Sequence, residues 1–269
     1  MKITNLTPGA KVFVGIDVHK RTYAVCCISG GEIIHRYSTK AEPQEFSAAL
    51  KKQFGGQEIF SVYEAGFSGL VLHRALSAAG IINIVVNPAS IERASNDKVK
   101  TDKIDSAKLA KQLMMGNLKP NYIPSEEEEL FRQLHRTREH LVEDRVAVGN
   151  RIKSKLMLFG FVAHDNAEKM SGAYLKKIEK LLLPEPLRLV IDVLIEEWRH
   201  LKKLILKLER QMSLQNLDKK KLNTVIRSVP GIGIVSANTL LTELGDMSRF
   251  RNERQLSCFT GVPSTAICD

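Results

Sequence analysis

Hydrophobic and polar positions change their rhythm about halfway along the chain. From residue 12 to residue 86, short apolar runs of strand length alternate with stretches of helical spacing. Val12-Phe13-Val14-Gly15-Ile16-Asp17-Val18 is a β-rich run with a carboxylate at its end. Tyr23–Ser29 and Glu32–Tyr37 predict two further strands, and Gly30-Gly31 between them is a hairpin turn pair. Phe46, Leu50 and Phe54 recur at helical spacing. Ile59–Glu64 is a fourth strand that also ends in a carboxylate. Leu70, Leu72, Leu76 and Ala79 predict a helix closed by Gly80. Ile81–Val86 is continuously apolar, the pattern of a strand buried on both faces. A basic loop, Arg93 to Lys100, then leads into a helix that runs to about Met115.

After the Pro120–Pro124 linker the rhythm is helical throughout. Glu126–Glu129 is an acidic run at a helix start, where it opposes the positive end of the dipole. Leu130, Leu134, Leu141, Val148, Ile152, Leu156 and Phe159 follow at helical steps and predict one long amphipathic helix. Its outer face carries Arg132, Arg136, Arg138, Arg145 and Arg151. A short helix over Tyr174–Leu183 is expected to break at Pro184 and Pro186. A second long stripe then runs from Leu187 through Trp198 to Met212. Two long helices with a short insert predict an antiparallel hairpin. Val225 to Gly245 reads as helix, Pro-Gly-x-Gly turn, helix, and Phe250–Gly261 as a last short helix and turn.

These elements predict an α/β region followed by an all-α region. An Asp-bearing strand followed by two hairpin strands is the opening of a ribonuclease-H-like sheet. The predicted segments are 1–118, a catalytic α/β domain; 125–215, a long antiparallel helical hairpin or coiled coil; and 220–269, a C-terminal helical domain with a helix-hairpin-helix element.

Charge adds a partner class. The chain of 269 residues has a net charge of +10 and a pI near 9.4, which fits a nucleic-acid partner. Residues 1–118 hold 15 Lys and Arg against 10 Asp and Glu, and the remainder 25 against 20, so the excess is spread and not a basic tail. No apolar run reaches the ~18 residues of a membrane span, and the first ten residues lack a signal-peptide pattern, so the expected compartment is the cytoplasm and no membrane partner is expected. Cys26, Cys27, Cys258 and Cys268 match no zinc spacing and read as reduced thiols.

The candidate chemistry is a set of carboxylates. Asp102 and Asp105 lie three residues apart at a helix start, on one face, within the basic stretch Lys98 to Lys111. By themselves they could simply complement the helix dipole. Asp17 and Glu64 change that reading. In a ribonuclease-H-like sheet the first and fourth strands are neighbours and a later helix crosses their ends, so all four carboxylates would gather at one edge. Four oxygen ligands suit Mg²⁺ or Mn²⁺. Two such ions about 4 Å apart serve phosphodiester chemistry. Lys20, Lys100 and Lys103 flank these residues. Gly231 and Gly233 would let backbone N–H groups reach a phosphate at the following helix N-terminus, or would merely make a tight corner.

At this point the sequence resembles a family. Gly15-Ile16-Asp17-Val18-His19-Lys20, Tyr63-Glu64-Ala65-Gly66, Lys100-Thr101-Asp102-Lys103-Ile104-Asp105 and Val229-Pro230-Gly231-Ile232-Gly233 look like the DEDD transposases of the IS one-ten and IS eleven-eleven insertion sequences. The resemblance implies a RuvC-like catalytic domain with Asp17, Glu64, Asp102 and Asp105 as its Mg²⁺-binding tetrad. It also implies a coiled-coil middle through which copies form a dimer or higher homo-oligomer, and DNA recombination guided by a structured element-encoded RNA.

Family members continue into a basic Ser-Gly segment whose serine is thought to attack DNA. Gln255–Ser264 matches the approach to it, and Thr265–Asp269 then leaves the pattern. The expectation is a truncated chain that keeps the metal-binding half and is impaired in full strand exchange. Two readings of other kinds stand beside this one: a RuvC-like nuclease or resolvase acting on branched DNA, and a truncated, non-catalytic remnant that binds nucleic acid.

Overall fold

The computed structural model describes residues 7, 9–88, 102–163, 168–214 and 220–261; the side chains of 102–104, 214 and 220 fall outside that description. The chain divides into two compact units, Met1–Ile123 and Pro124–Asp269.

The first unit is built on a mixed sheet of five strands: β1 (Lys11–Val18), β2 (Thr22–Ser29), β3 (Glu32–Lys40), β4 (Glu58–Glu64) and β5 (Ile82–Val86), in the order β3-β2-β1-β4-β5. β1, β2 and β3 are antiparallel neighbours, while β4 runs parallel to β1 and β5 parallel to β4. This is the ribonuclease-H-like arrangement expected from the sequence. Gly30 and Gly31 both take positive φ, 59° and 86°, as the tight β2–β3 turn requires.

Alternation along the strands divides the core into two layers. Val12, Val14 and Ile16 of β1, with Val25, Cys27, Ile59 and Tyr63, face α1 (Pro43–Gln53) and α2 (Val71–Ala78), which contribute Phe46, Leu50, Leu72 and Leu76. Leu50 and Leu76 are fully buried, each worth roughly 1.5–3 kcal/mol. The opposite face carries α3 (Asp102–Met115). There Val62 and Val86 pack with Leu109, and Cys26 and Ile28 with Ala110.

The second unit is helical. α4 (Glu126–Leu158) starts in a capping box: Ser125 Oγ accepts from the Glu128 N–H at 3.1 Å, and Glu128 Oε2 accepts from the Ser125 N–H at 3.0 Å. It packs antiparallel to α6 (Glu185–Leu214) through Val148, Ile152 and Leu156 against Leu187, Ile191, Ile195 and Trp198. Between them α5 (Gly172–Glu179) covers the end of the hairpin with Tyr174, Leu175 and Ile178. The short helix ends at Glu179, earlier than expected, and the next begins only after Pro184; Pro186 is compatible with that start. It stands in the first turn of α6, where a missing N–H costs nothing. α7 (Lys220–Arg227), α8 (Ile234–Leu244) and α9 (Glu253–Thr260) complete the unit, and the buried amides of Asn223 and Asn238 join α7 to α8 at 2.5 Å. Among the described residues no helix is long and apolar enough to cross a membrane.

The Arg face of α4 differs from its expected outward role. Arg132 donates to the backbone carbonyls of Thr242 (3.2 Å) and Glu243 (3.0 Å) at the end of α8. Arg136 grips the Glu243 carboxylate with two bonds of 2.8 Å, and Arg138 donates to Glu209. Arg145 lies 5.5 Å over the Trp198 ring. These cations fasten helices inside the unit. Conversely, Leu130 and Phe159, at the two ends of the predicted apolar stripe, are exposed.

Candidate active site

The candidate site is organised by Gly15. It sits in the middle of β1, paired with Val62 of β4 on one side and Cys26 of β2 on the other. A Cβ at this position would stand 2.0 Å from the Ser106 carbonyl oxygen and 2.5 Å from the Ala110 nitrogen. These two atoms belong to residues four apart, the ends of one helical turn of α3. The absence of a side chain therefore lets the α3 backbone rest directly on β1. No larger residue permits this approach.

This contact fixes which way the carboxylates face. Asp17 is two residues past Gly15 and so shares the α3 face. Glu64 is two residues past Val62, which packs on Leu109 of α3, and it shares that face too. The parallel register ends at Ile16 opposite Tyr63, and Asp17 and Glu64 follow directly on neighbouring strands, about 4.8 Å apart in the sheet. Ser106 lies beside Ala24 and Ser38, and Met114 packs in the cluster of Ile28 and Phe13. α3 thus runs back along β1 from its C-terminal end. Two strand residues advance about 6.6 Å, and the helix from its contact with Gly15 back to Asp105 and Asp102 covers roughly 4.5–9 Å. The start of α3 therefore reaches the level of Asp17.

Individual placements follow from this frame. Asp17 is partly buried, and His19 Nε2 approaches its Oδ2 to 3.2 Å. The His19 N–H donates to the Thr22 carbonyl at 2.9 Å, closing the β1–β2 turn on which Lys20 is exposed. Below Glu64, the Tyr63 hydroxyl donates to the Gly69 carbonyl at 3.1 Å, and the Ala65 N–H to that of Val86 at 2.8 Å. Asp105 is partly buried on α3. Asp102 opens that helix, but its side chain, like that of Lys103, lies outside the described residues, as do Lys100, Thr101 and Ser264. Gly231 (φ 89°) and Gly233 form an exposed turn before α8, with open space around the position of either Cβ.

Among the described residues no three His, Cys, Asp or Glu side chains close around one point that could hold a metal ion. Donor chemistry still favours a hard cation. Carboxylate oxygens are offered from two strand ends and from the facing helix, the ligand type of Mg²⁺ or Mn²⁺. The thiols offer nothing softer, because burial raises Cys26 on this face and Cys27 belongs to the opposite layer.

Sequence reasoning missed two features. One is the Gly15 contact, whose signal was a mid-strand glycine together with the small residues Ser106, Ala107 and Ala110 on the later helix. The other lies behind β4, where His73 Nδ1 meets Asn83 Oδ1 at 2.6 Å and the Asn83 amide donates to Ser61 Oγ at 2.9 Å, a partly buried polar link between α2, β5 and β4.

Residues 14–160 match the family model for the DEDD transposases of IS110 elements, and residues 223–266 match that of the IS116/IS110/IS902 transposase family. The chain belongs to the IS110 family of transposases. The chain is 27% identical over 261 residues to the putative transposase y4qE of Sinorhizobium fredii, covering 94% of this chain and 63% of that protein. It is 30% identical over 258 residues to a probable family 20 transposase of Pseudomonas aeruginosa, covering 93% of this chain and 73% of that one. The chain thus spans less than two thirds of the Sinorhizobium relative. Among solved structures, it is similar to Thermus thermophilus RuvC in complex with a Holliday junction substrate, with a TM-score of 0.32 and 13% identity over 41% of this chain and 99% of that one. The family membership expected from the sequence motifs holds.

Proposed function

We propose that this chain carries out metal-dependent DNA strand cleavage and exchange for an insertion sequence, with Asp17, Glu64, Asp102 and Asp105 as the ligands of Mg²⁺ or Mn²⁺. The observation that carries the proposal is the side-by-side position of Asp17 and Glu64 on the face that α3 covers with Asp105. The bound ions would activate an attacking oxygen and stabilise a leaving one. The residues of the chain set the frame for that chemistry. Gly15 seats α3, and His19 orients the Asp17 carboxylate.

Residues 1–118 act as the catalytic domain. The helical segment 125–215 pairs copies of the chain, and the segment 220–269 contributes to DNA contact. Lys20, Lys100, Lys103 and the Gly231–Gly233 turn hold nucleic-acid backbone. An element-encoded RNA guides the reaction, which takes place in the cytoplasm, where the DNA is. That its relatives are named as transposases supports the reaction class.

The test is cleavage and joining of element-end DNA by the purified chain with Mg²⁺, with and without element RNA. Wild type should yield cleaved strands, and Asp17→Asn and Asp105→Asn should lose them while still binding DNA. Cleavage by both variants at the wild-type rate would refute the proposal.

A further inference from the structure

On the α3 face, beside the carboxylates, lies a feature that the proposed chemistry does not use. A cavity of about 230 Å³ opens between β2, β3 and α3, lined by Ala24, Val25, Arg36, Tyr37, Ser38 and Ser106. Strand register ties it to the site. Asp17 pairs with Ala24 and Ala24 with Ser38, so one row of residues crosses three strands from the carboxylate to the Ser38 hydroxyl. The next row runs from Gly15 through Cys26 to Arg36. Residues paired across antiparallel strands project to the same face. Arg36 and Ser38 therefore stand on the face that holds Asp17.

The chemistry of the lining is specific. Ala24 leaves the floor low, and Ser106 on α3 forms the far wall. Arg36 and Ser38 are exposed at its mouth. A guanidinium has five donors in a planar fork that matches phosphate oxygens. A serine hydroxyl adds one more donor. β3 ends the sheet order, so its outer side gives an extended ligand room to approach. The positive charge also lies where it is needed, because a polyanion brought to Asp17 and Glu64 meets their negative charge first.

We propose that this cavity binds a backbone phosphate of the DNA strand presented to the carboxylates, with Arg36 and Ser38 as its donors. The proposal rests on the reading of Asp17, Glu64, Asp102 and Asp105 as a DNA-cleaving centre. Arg36 and Ser38 are positioning residues that hold the strand's register beside the site.

The test is fluorescence anisotropy of the full chain on a labelled random-sequence DNA duplex, and on RNA of equal length, in EDTA across a salt series. Arg36→Gln should weaken DNA binding several-fold and reduce the slope of log affinity against log salt by about 1. Arg36→Lys should restore most of that slope. Lys52→Gln on α1, over the opposite face of the sheet, removes the same charge and should leave the slope unchanged. Equal effects of Arg36→Gln and Lys52→Gln would overturn the proposal, as would a loss confined to the RNA probe. The readout involves no cleavage. Failure of the cleavage reaction therefore counts against the carboxylate reading, and an unchanged Arg36→Gln slope counts against this site.

Discussion

Gly15 meets the main chain of Ser106 so closely that a methyl group on its Cα would stand 2.0 Å from the Ser106 carbonyl oxygen. The relationship joins the strand that carries Asp17 to the helix that carries Asp102 and Asp105. Both partners are backbone, so no side-chain rotation can relieve a clash. Gly15→Ala should push α3 off the sheet and cost about 1–3 kcal/mol in urea unfolding. The same variant should lose DNA cleavage at temperatures where it is still folded. Gly56→Ala, with open space around its Cβ, is the comparison and should be near neutral.

His135 is a second test, of the helical unit. It is buried on α4, with Nδ1 3.0 Å from Thr239 Oγ1 and Nε2 3.2 Å from Thr242 Oγ1. Thr239 gives its own proton to the Val235 carbonyl, so it accepts from His135 Nδ1–H, and Nε2 accepts from Thr242. Burial lowers the pKa of His135, Glu243 opposes that shift, and Arg138 adds to it. The unfolded chain therefore takes up this proton more readily than the folded one. The stability contribution is complete above the ordinary histidine value near 6.5 and is lost as pH falls from there towards the lowered folded value. Urea midpoints should fall between about pH 7.5 and about pH 5.5, and His135→Gln should flatten that dependence.

Arg132 and Arg136 separate a partly buried cation from an exposed one. The Arg132 side chain is 14% exposed and donates to two carbonyls at the end of α8, whereas Arg136 is 50% exposed in its pair with Glu243. Arg132→Ala should cost about 2 kcal/mol, because two partly buried acceptors lose a charged donor. Arg136→Ala should cost less than about 1 kcal/mol, because solvent screens the pair. Denaturant unfolding of the two variants and of the double variant checks both figures and any coupling between them.

Much of the sheet was legible because alternation and turn residues are local signals. Val12–Val18 and Ile59–Glu64 end in carboxylates within their own apolar runs, and Gly30-Gly31 marks its own turn. The start of α3 at Asp102 was legible for the same reason. The role of Gly15 was not, because a mid-strand glycine reads alike whether it marks a bulge or a helix pressed against it. Only the three-dimensional approach of Ser106 and Ala110 distinguishes the two. The arginines of α4 misled for a related reason. A cationic helix face has one pattern whether it meets water or reaches across to Glu209 and Glu243. Arg36 and Ser38 drew no notice because an edge strand of mixed polarity looks solvated until its register with Asp17 is known.

Asp17, Glu64, Asp102 and Asp105 are proposed to hold a divalent metal ion. The most direct measurement is Mn²⁺ binding to the full chain, followed by electron paramagnetic resonance of the free ion. Wild type should take up Mn²⁺, and Asp17→Asn, Glu64→Gln, Asp102→Asn and Asp105→Asn should each weaken uptake by about tenfold or more, while Asp192→Asn on α6 leaves it unchanged. Equal uptake by wild type and all four carboxylate variants would show that these carboxylates are not the metal ligands.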